Sequence, residues 1–170
     1  PVQTLLLAEN EISPDEEVIV NYCDFFMDWD YPAFLAAVRA GNYDGGVLSF
    51  RGFHPASLGD TYYAYMRVDE KNELIELREK MPFTDNRIEE HGSTGTYYFK
   101  RWGDVVRFSK ELFASGNAAP NKEYYPSLLY NPMRVAGLRS LVYQVDKFIC
   151  LGTPKDYKEY CFWYEHFLES

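Results

Sequence analysis

The sequence predicts an α/β fold, and three observations carry that expectation. Helix-like and strand-like apolar periodicities alternate along the chain instead of segregating into halves. A short unbroken apolar run, Val18-Ile19-Val20, has the look of a central strand buried on both faces, and it leads straight into Asn21-Tyr22-Cys23-Asp24. Two later segments carry helix start signals. Asp30 precedes Tyr31-Pro32, and Thr153 precedes Pro154 with Asp156 at the third helical position.

The elements follow in order. Residues 4–12 read as a helix with Leu5, Leu6 and Ala8 available to a core, stopped by Ser13-Pro14-Asp15. The strand at Val18-Ile19-Val20 comes next. A helix over 31–40 begins at Asp30 and ends at Gly41-Asn42. Residues 46–50 read as a strand and 51–60 as a loop without period. Residues 61–68 and 73–77 form two strands around the turn Asp69-Glu70-Lys71-Asn72. Residues 93–99 form another strand, in which Gly95 allows a neighbour to approach closely. A helix over 103–115 has Val105, Phe108 and Leu112 on one stripe and stops at Gly116-Asn117. Residues 124–130 read as helical despite Pro126, and 135–145 and 148–150 as strands. The last helix presents Tyr157, Tyr160, Cys161, Tyr164, Phe167 and Leu168 at helical spacing, a stripe that reads as core.

One domain with a substantial core fits a chain of 170 residues, 46% of them hydrophobic and 18% aromatic. Tyr leads the aromatics with 15 copies, which predicts many half-buried rings with polar tips. The 17 basic and 26 acidic residues give a net charge of −9. No basic tract is long enough to follow a phosphate backbone, which argues against nucleic acid as a partner. No stretch is long and apolar enough to span a bilayer, and no signal peptide is evident. Three scattered cysteines, Cys23, Cys150 and Cys161, lack metal-type spacing and suit a reducing, cytoplasmic compartment.

Three local patterns could carry chemistry. A buried strand that ends on Asp24 places a carboxylate at the carboxyl edge of a sheet, where open α/β folds bind ligands. An ionised Asp there is a natural Mg²⁺ ligand, because Mg²⁺ takes one or two carboxylates plus phosphate oxygens. The same Asp could simply cap a turn. Glu79-Lys80 follows the second hairpin strand, so a Glu could accept from sugar hydroxyls beside a Lys that meets a phosphate. As a bare dipeptide it equally describes a solvated surface pair. Leu151-Gly152-Thr153-Pro154 opens room for an anion at a helix N-terminus, and reads equally as an ordinary strand-to-helix turn. His54, His91 and His166 lack ligand-spaced partners. Ser57, Ser93 and Ser127 lack a nucleophile elbow. No glycine-rich phosphate motif is present. Tyr62-Tyr63 and Tyr97-Tyr98 read as strand packing, with one face able to border a sugar.

The order of these signals resembles the sugar-phosphate nucleotidyltransferase family, such as glucose-1-phosphate thymidylyl- and uridylyltransferases and their cytidylyl relatives. The strand to Asp24, the hairpin to Glu79-Lys80, the run His91-Gly92-Ser93-Thr94-Gly95-Thr96-Tyr97-Tyr98-Phe99 and the turn Leu151-Gly152-Thr153-Pro154-Lys155-Asp156 succeed one another as they do there. The resemblance covers essentially the whole chain. It implies a partial Rossmann-like, glycosyltransferase-A-like domain over residues 1–170 with a mixed, mostly parallel central sheet. It implies Mg²⁺ on Asp24, catalytic roles for Asp24 and Lys80, and substrate contacts from Gln3, Glu79, Lys80, Gly95, Gly152 and Thr153. The implied partners are a nucleoside triphosphate and a sugar 1-phosphate, with oligomers possible, in cytoplasmic nucleotide-sugar and polysaccharide biosynthesis.

Two departures from the family pattern stand out. Where members place a second metal-binding Asp, two residues before the late Gly, this chain has Cys150, and a thiol is a poor Mg²⁺ ligand. The family's leading glycine-rich loop with its Arg and Lys is not in this sequence. The expectation is therefore a later portion that does not catalyse transfer alone. A catalytically silent binding module and a cytidylyltransferase for a non-sugar phosphate such as phosphocholine are the alternatives.

Overall fold

A computed structural model describes residues 1–54 and 62–168. The chain runs α1 (Val2–Leu6), β1 (Val18–Asn21), β2 (Phe25–Asp28), α2 (Tyr31–Ala40), β3 (Gly45–Phe50), β4 (Ala64–Val68), β5 (Leu74–Glu79), β6 (His91–Phe99), α3 (Trp102–Ser115), α4 (Tyr130–Val135), β7 (Ser140–Gln144), β8 (Lys147–Cys150) and α5 (Pro154–Leu168). Short 3-10 turns occupy Arg87–Glu89 and Pro126–Leu129.

A six-stranded sheet has the order β5-β4-β6-β3-β7, with β1 added on β6. It is mixed, as expected, but its pairings are mostly antiparallel and not mostly parallel. Strands β1, β3, β4 and β7 share one direction, yet only β3 and β7 are parallel neighbours. The reason is β6, which runs against them through the middle and makes each of its own pairings antiparallel. The sheet has both faces covered. Along β3 and β6, Val47, Tyr97 and Phe99 face one core with α3 and α4, while Leu48 and Tyr98 face the other with Phe34 and Val38 of α2. This period-2 alternation places Tyr98 and Phe99, both fully buried, in different layers.

Long strand β6 is shared unevenly along one edge. Strand β1 pairs with it from Thr96 to Phe99, and β4 pairs with it at His91 and Gly92. Neither strand takes Ser93 and Thr94 on that edge, so the sheet is split there. The split lies where β1 ends, β4 begins and β5 ends. The small second sheet pairs β2 with β8 and brings Phe25 beside Cys150.

Several elements differ from expectation. Helix α1 spans Val2–Leu6 and turns carry the chain onward. Strand β1 is half-buried and not sealed on both faces, and it pairs through one edge only among the described residues. Residues 124–130 split into a 3-10 turn and the start of α4, which continues to Val135, so the strand expected over 135–145 is only Ser140–Gln144. The stripe on α5 is not core: Tyr157, Tyr164, Phe167 and Leu168 are exposed, and no residue of the helix is buried. The loop reading over 51–60 falls largely outside the described residues.

Candidate functional site

The split in the sheet edge floors a pocket of about 240 Å³. The C-terminal end of β1 supplies Tyr22 and Asp24, the end of β5 supplies Glu79 and Lys80, and mid-β6 supplies Ser93, Thr94, Gly95 and Tyr97. The β8–α5 turn closes it with Cys150, Gly152, Thr153 and Asp156. The structure thus brings together Asp24, Glu79, Lys80, Gly95, Gly152 and Thr153. Gln3 is not among the lining residues; it is exposed on α1, whose first turn is tied elsewhere by Val2 N donating to Tyr124 O at 3.1 Å.

Each position has a local cause. Tyr22 N donates to Gly95 O at 3.1 Å, which carries the β1–β6 ladder one residue past the strand end and holds Tyr22 over Gly95. Gly95 has φ +94°, and a Cβ there would lie 2.7 Å from Tyr22 Cδ2. Asp24 is fixed through its own carbonyl, which accepts from Leu151 N at 2.9 Å. A Cβ on Gly152 would stand 2.9 Å from Asp24 Oδ2, so glycine there keeps the space beside the carboxylate open. Thr153 and Asp156 form a reciprocal cap on α5: Asp156 N donates to Thr153 Oγ1 at 3.1 Å, and Thr153 N donates to Asp156 Oδ2 at 3.1 Å.

Glu79 is buried and accepts from Ser127 Oγ at 2.5 Å. Burial raises its pKa, against the opposing pull of the Ser127 hydrogen bond and of neighbouring Lys80. Lys80 has φ +58°, an uncommon conformation for a residue with a side chain, and Lys80 N donates to Tyr63 O at 2.9 Å. Its Nζ lies 5.2 Å from the centroid of the Tyr125 ring. No ion pair engages that ammonium among the described residues.

The Glu79 shift has a consequence for stability. Because folding raises this carboxyl's pKa, the folded state is favoured by its protonation, and stability falls as pH rises from the ordinary carboxylate range through the raised value. Glu79→Gln is therefore expected to raise the urea midpoint at pH 7 relative to wild type and to leave it nearly unchanged at pH 4. Equal effects at both pH values would show that the charge of Glu79 is not the cause.

Burial also raises the pKa of the Cys150 thiol, and the nearby Asp156 and Asp24 add to that effect. The thiol is thus held protonated. It donates to Asp156 Oδ2 at 3.8 Å. The donor set fits a Mg²⁺ ion held by the single carboxylate of Asp24 with phosphate and water oxygens, and it does not fit a site of two carboxylates with Cys150 as the second ligand. Among the described residues no cluster of three or more His, Cys, Asp or Glu could hold a metal by itself.

Sequence reasoning missed Tyr22 and Tyr125, which line the pocket beside the expected residues. Tyr22 stood in the same strand-end segment as Asp24, but nothing local says which way its ring points. Tyr62, Tyr63 and Tyr97 line the pocket, while Tyr98 faces the opposite layer. The hydroxyl of Tyr22 is buried without a hydrogen-bond partner, while that of Tyr63 faces the Cys150 thiol.

No family model and no curated protein sequence matches the chain. Solved structures do match its fold. A nucleoside-diphosphate-sugar pyrophosphorylase from Vibrio cholerae superposes with TM-score 0.72 at 23% identity, over 94% of this chain and 63% of that one. A proposed glucose-1-phosphate thymidylyltransferase from Bacillus anthracis, in complex with sucrose, gives TM-score 0.68 at 16% identity over 94% and 58%. HddC from Yersinia pseudotuberculosis gives 0.60 at 16% over 96% and 61%. The chain shares the fold of these structures along nearly its whole length, and spans 58–63% of theirs. No helix among the described residues is long and apolar enough to cross a membrane.

Proposed function

We propose that this chain is the acceptor-binding portion of a sugar-phosphate nucleotidyltransferase. The reaction joins a nucleoside triphosphate and a sugar 1-phosphate to give a nucleotide sugar and pyrophosphate. The observation that carries the reading is the convergence of Asp24, Glu79, Lys80, Gly95, Gly152 and Thr153 on one pocket, although these residues are spread over most of the sequence.

The charge balance of that pocket supports the reading. Asp24, Glu79 and Asp156 face a single cation, Lys80, among the described lining residues. A phosphate dianion entering alone would meet excess negative charge, so a divalent cation entering with it satisfies the electrostatics. Asp24 is the residue that would hold Mg²⁺, whose chemistry is charge neutralisation at the phosphates. Lys80 binds and orients the acceptor phosphate, and the Tyr125 ring limits where its ammonium can go. Glu79 accepts from a sugar hydroxyl. The floor at Gly95 lets the sugar approach the backbone. A phosphate oxygen of the acceptor then attacks the α-phosphorus, forming the new P–O bond while the bond to the β-phosphate breaks and pyrophosphate leaves. Orientation and charge stabilisation supply the acceleration.

The test is Mg²⁺-dependent binding of sugar 1-phosphates by calorimetry, alongside pyrophosphate release with a panel of nucleoside triphosphates. Mg²⁺ is expected to tighten sugar-phosphate binding, and Asp24→Asn is expected to remove that dependence while inorganic phosphate still binds weakly. Equal Mg²⁺ dependence in Asp24→Asn would refute the assigned role of Asp24. The protonated Cys150 thiol favours one second reading, a binding module without turnover. Tight sugar-phosphate binding with no pyrophosphate release from any pair, measured on a chain that also carries a glycine-rich nucleotide loop, would select it.

A further inference from the structure

We propose that Tyr22 is a specificity residue whose hydroxyl bonds a hydroxyl of the acceptor, so that the pocket selects a polyhydroxylated phosphate over a phosphorylated quaternary ammonium. The inference rests on the acceptor-site reading above and deepens it.

Aromatic walls alone do not choose between these ligands. Tyr22, Phe25, Tyr63, Tyr97, Tyr125 and Phe148 line the pocket and could surround a trimethylammonium as readily as a pyranose ring. The choice lies with the polar tips. Tyr22 Oη is buried and has no hydrogen-bond partner in the protein. Its electrostatic neighbours are Tyr97, Glu79, Tyr125 and Asp24, all lining the same pocket. A buried hydroxyl left unpaired is unfavourable, and native structures satisfy such groups. A quaternary ammonium offers neither donor nor acceptor and would leave Tyr22 unpaired. A sugar hydroxyl offers both.

The Tyr22 ring is also held in place before any ligand arrives. Its backbone N–H is bonded to Gly95 O, its ring lies on the Gly95 backbone, and Tyr97 packs edge-on at a centroid distance of 6.1 Å. A hydroxyl fixed this way recognises a ligand without losing much side-chain freedom on binding.

Calorimetry with glucose, galactose and mannose 1-phosphates, phosphocholine and inorganic phosphate tests the assignment on wild type, Tyr22→Phe and Lys80→Ala. Tyr22→Phe keeps the ring, and its thermal midpoint shows whether the fold is retained. At least one sugar phosphate is expected to bind more tightly than inorganic phosphate. Tyr22→Phe should weaken it about 3- to 10-fold without changing inorganic phosphate binding. A deoxy analogue lacking the contacted hydroxyl should bind wild type with the same loss and be insensitive to Tyr22→Phe. Sugar-phosphate binding that falls with Lys80→Ala but is unchanged by Tyr22→Phe overturns the role of Tyr22 and leaves the acceptor site standing. Phosphocholine binding more tightly than every sugar phosphate overturns the selectivity. Binding of no ligand beyond inorganic phosphate, with Lys80→Ala indistinguishable from wild type, overturns both readings.

Discussion

Gly95→Ala is expected to destabilise the chain by roughly 3 kcal/mol, from backbone strain plus overpacking of a closed site. The backbone at Gly95 has φ +94°, a region that L side chains rarely adopt. The added Cβ would also lie 2.7 Å from Tyr22 Cδ2 and 3.5 Å from Phe25 Cε1. Neither ring can move freely, since Tyr22 is tied to Gly95 O and Phe25 belongs to the β2–β8 sheet. Gly116→Ala is the control: it has φ +69° at the end of α3 and nothing within 4 Å of its Cβ position, so it should lose only about 1 kcal/mol. Urea unfolding of both variants measures the difference. Equal losses would mean that Tyr22 does not lie over Gly95, and the pocket floor would have to be redrawn. Where enough Gly95→Ala remains folded to assay, its sugar-phosphate affinity should also fall, because the methyl displaces the Tyr22 ring.

The second large effect is on binding. Lys80→Ala is expected to weaken sugar 1-phosphate roughly 10- to 100-fold, the range for losing a charge-assisted hydrogen bond to phosphate. Lys80 is the only cation among the described lining residues, so no neighbour takes over its role. Lys80→Arg tests geometry as well as charge. The positive φ at Lys80 and the Tyr125 ring fix where the side chain leaves the backbone, so the longer guanidinium should restore binding only in part. An affinity for inorganic phosphate that is unchanged in Lys80→Ala would move the phosphate subsite elsewhere in the pocket, toward the α5 N-terminus at Thr153.

Much of the local structure was legible. Asp30 accepts from Ala33 N at 2.9 Å and α2 spans the ten residues the pattern marks, because an N-cap and a following Pro act within one turn of chain. The Thr153 cap with Asp156 formed for the same reason. The strand over residues 93–99, within β6, and the stripe of α3, with Val105, Phe108 and Leu112 buried, also match the sequence reading. Periodicity read less well where two elements meet without a strong breaker. The start of β7 was placed at Val135, which the structure assigns to the end of α4. An apolar stripe states only that a face suits burial. On α5 it gave a helix of the expected type whose aromatic face stays largely exposed.

The sequence by itself determined most element types, the caps of α2 and α5, and the order of the residues proposed for the site: Asp24 at a strand end, Glu79-Lys80 after a hairpin, Gly95 within a strand and Gly152-Thr153 before a helix. These features depend on backbone chemistry between near neighbours in the chain. Only the tertiary structure decided that β6 runs against its neighbours, that β1 and β4 share its edge and leave Ser93 and Thr94 open, and that the strand ends meet there. Only it placed Tyr22 over Gly95 with an unpaired hydroxyl, set Cys150 against Asp156, and left Gln3 outside the pocket. The physical reason is that pairing and ring orientation are set by contacts between segments far apart in sequence, such as Asn21 opposite Thr96 and Tyr65 opposite Gly92, and no local pattern records which distant partner an edge will meet.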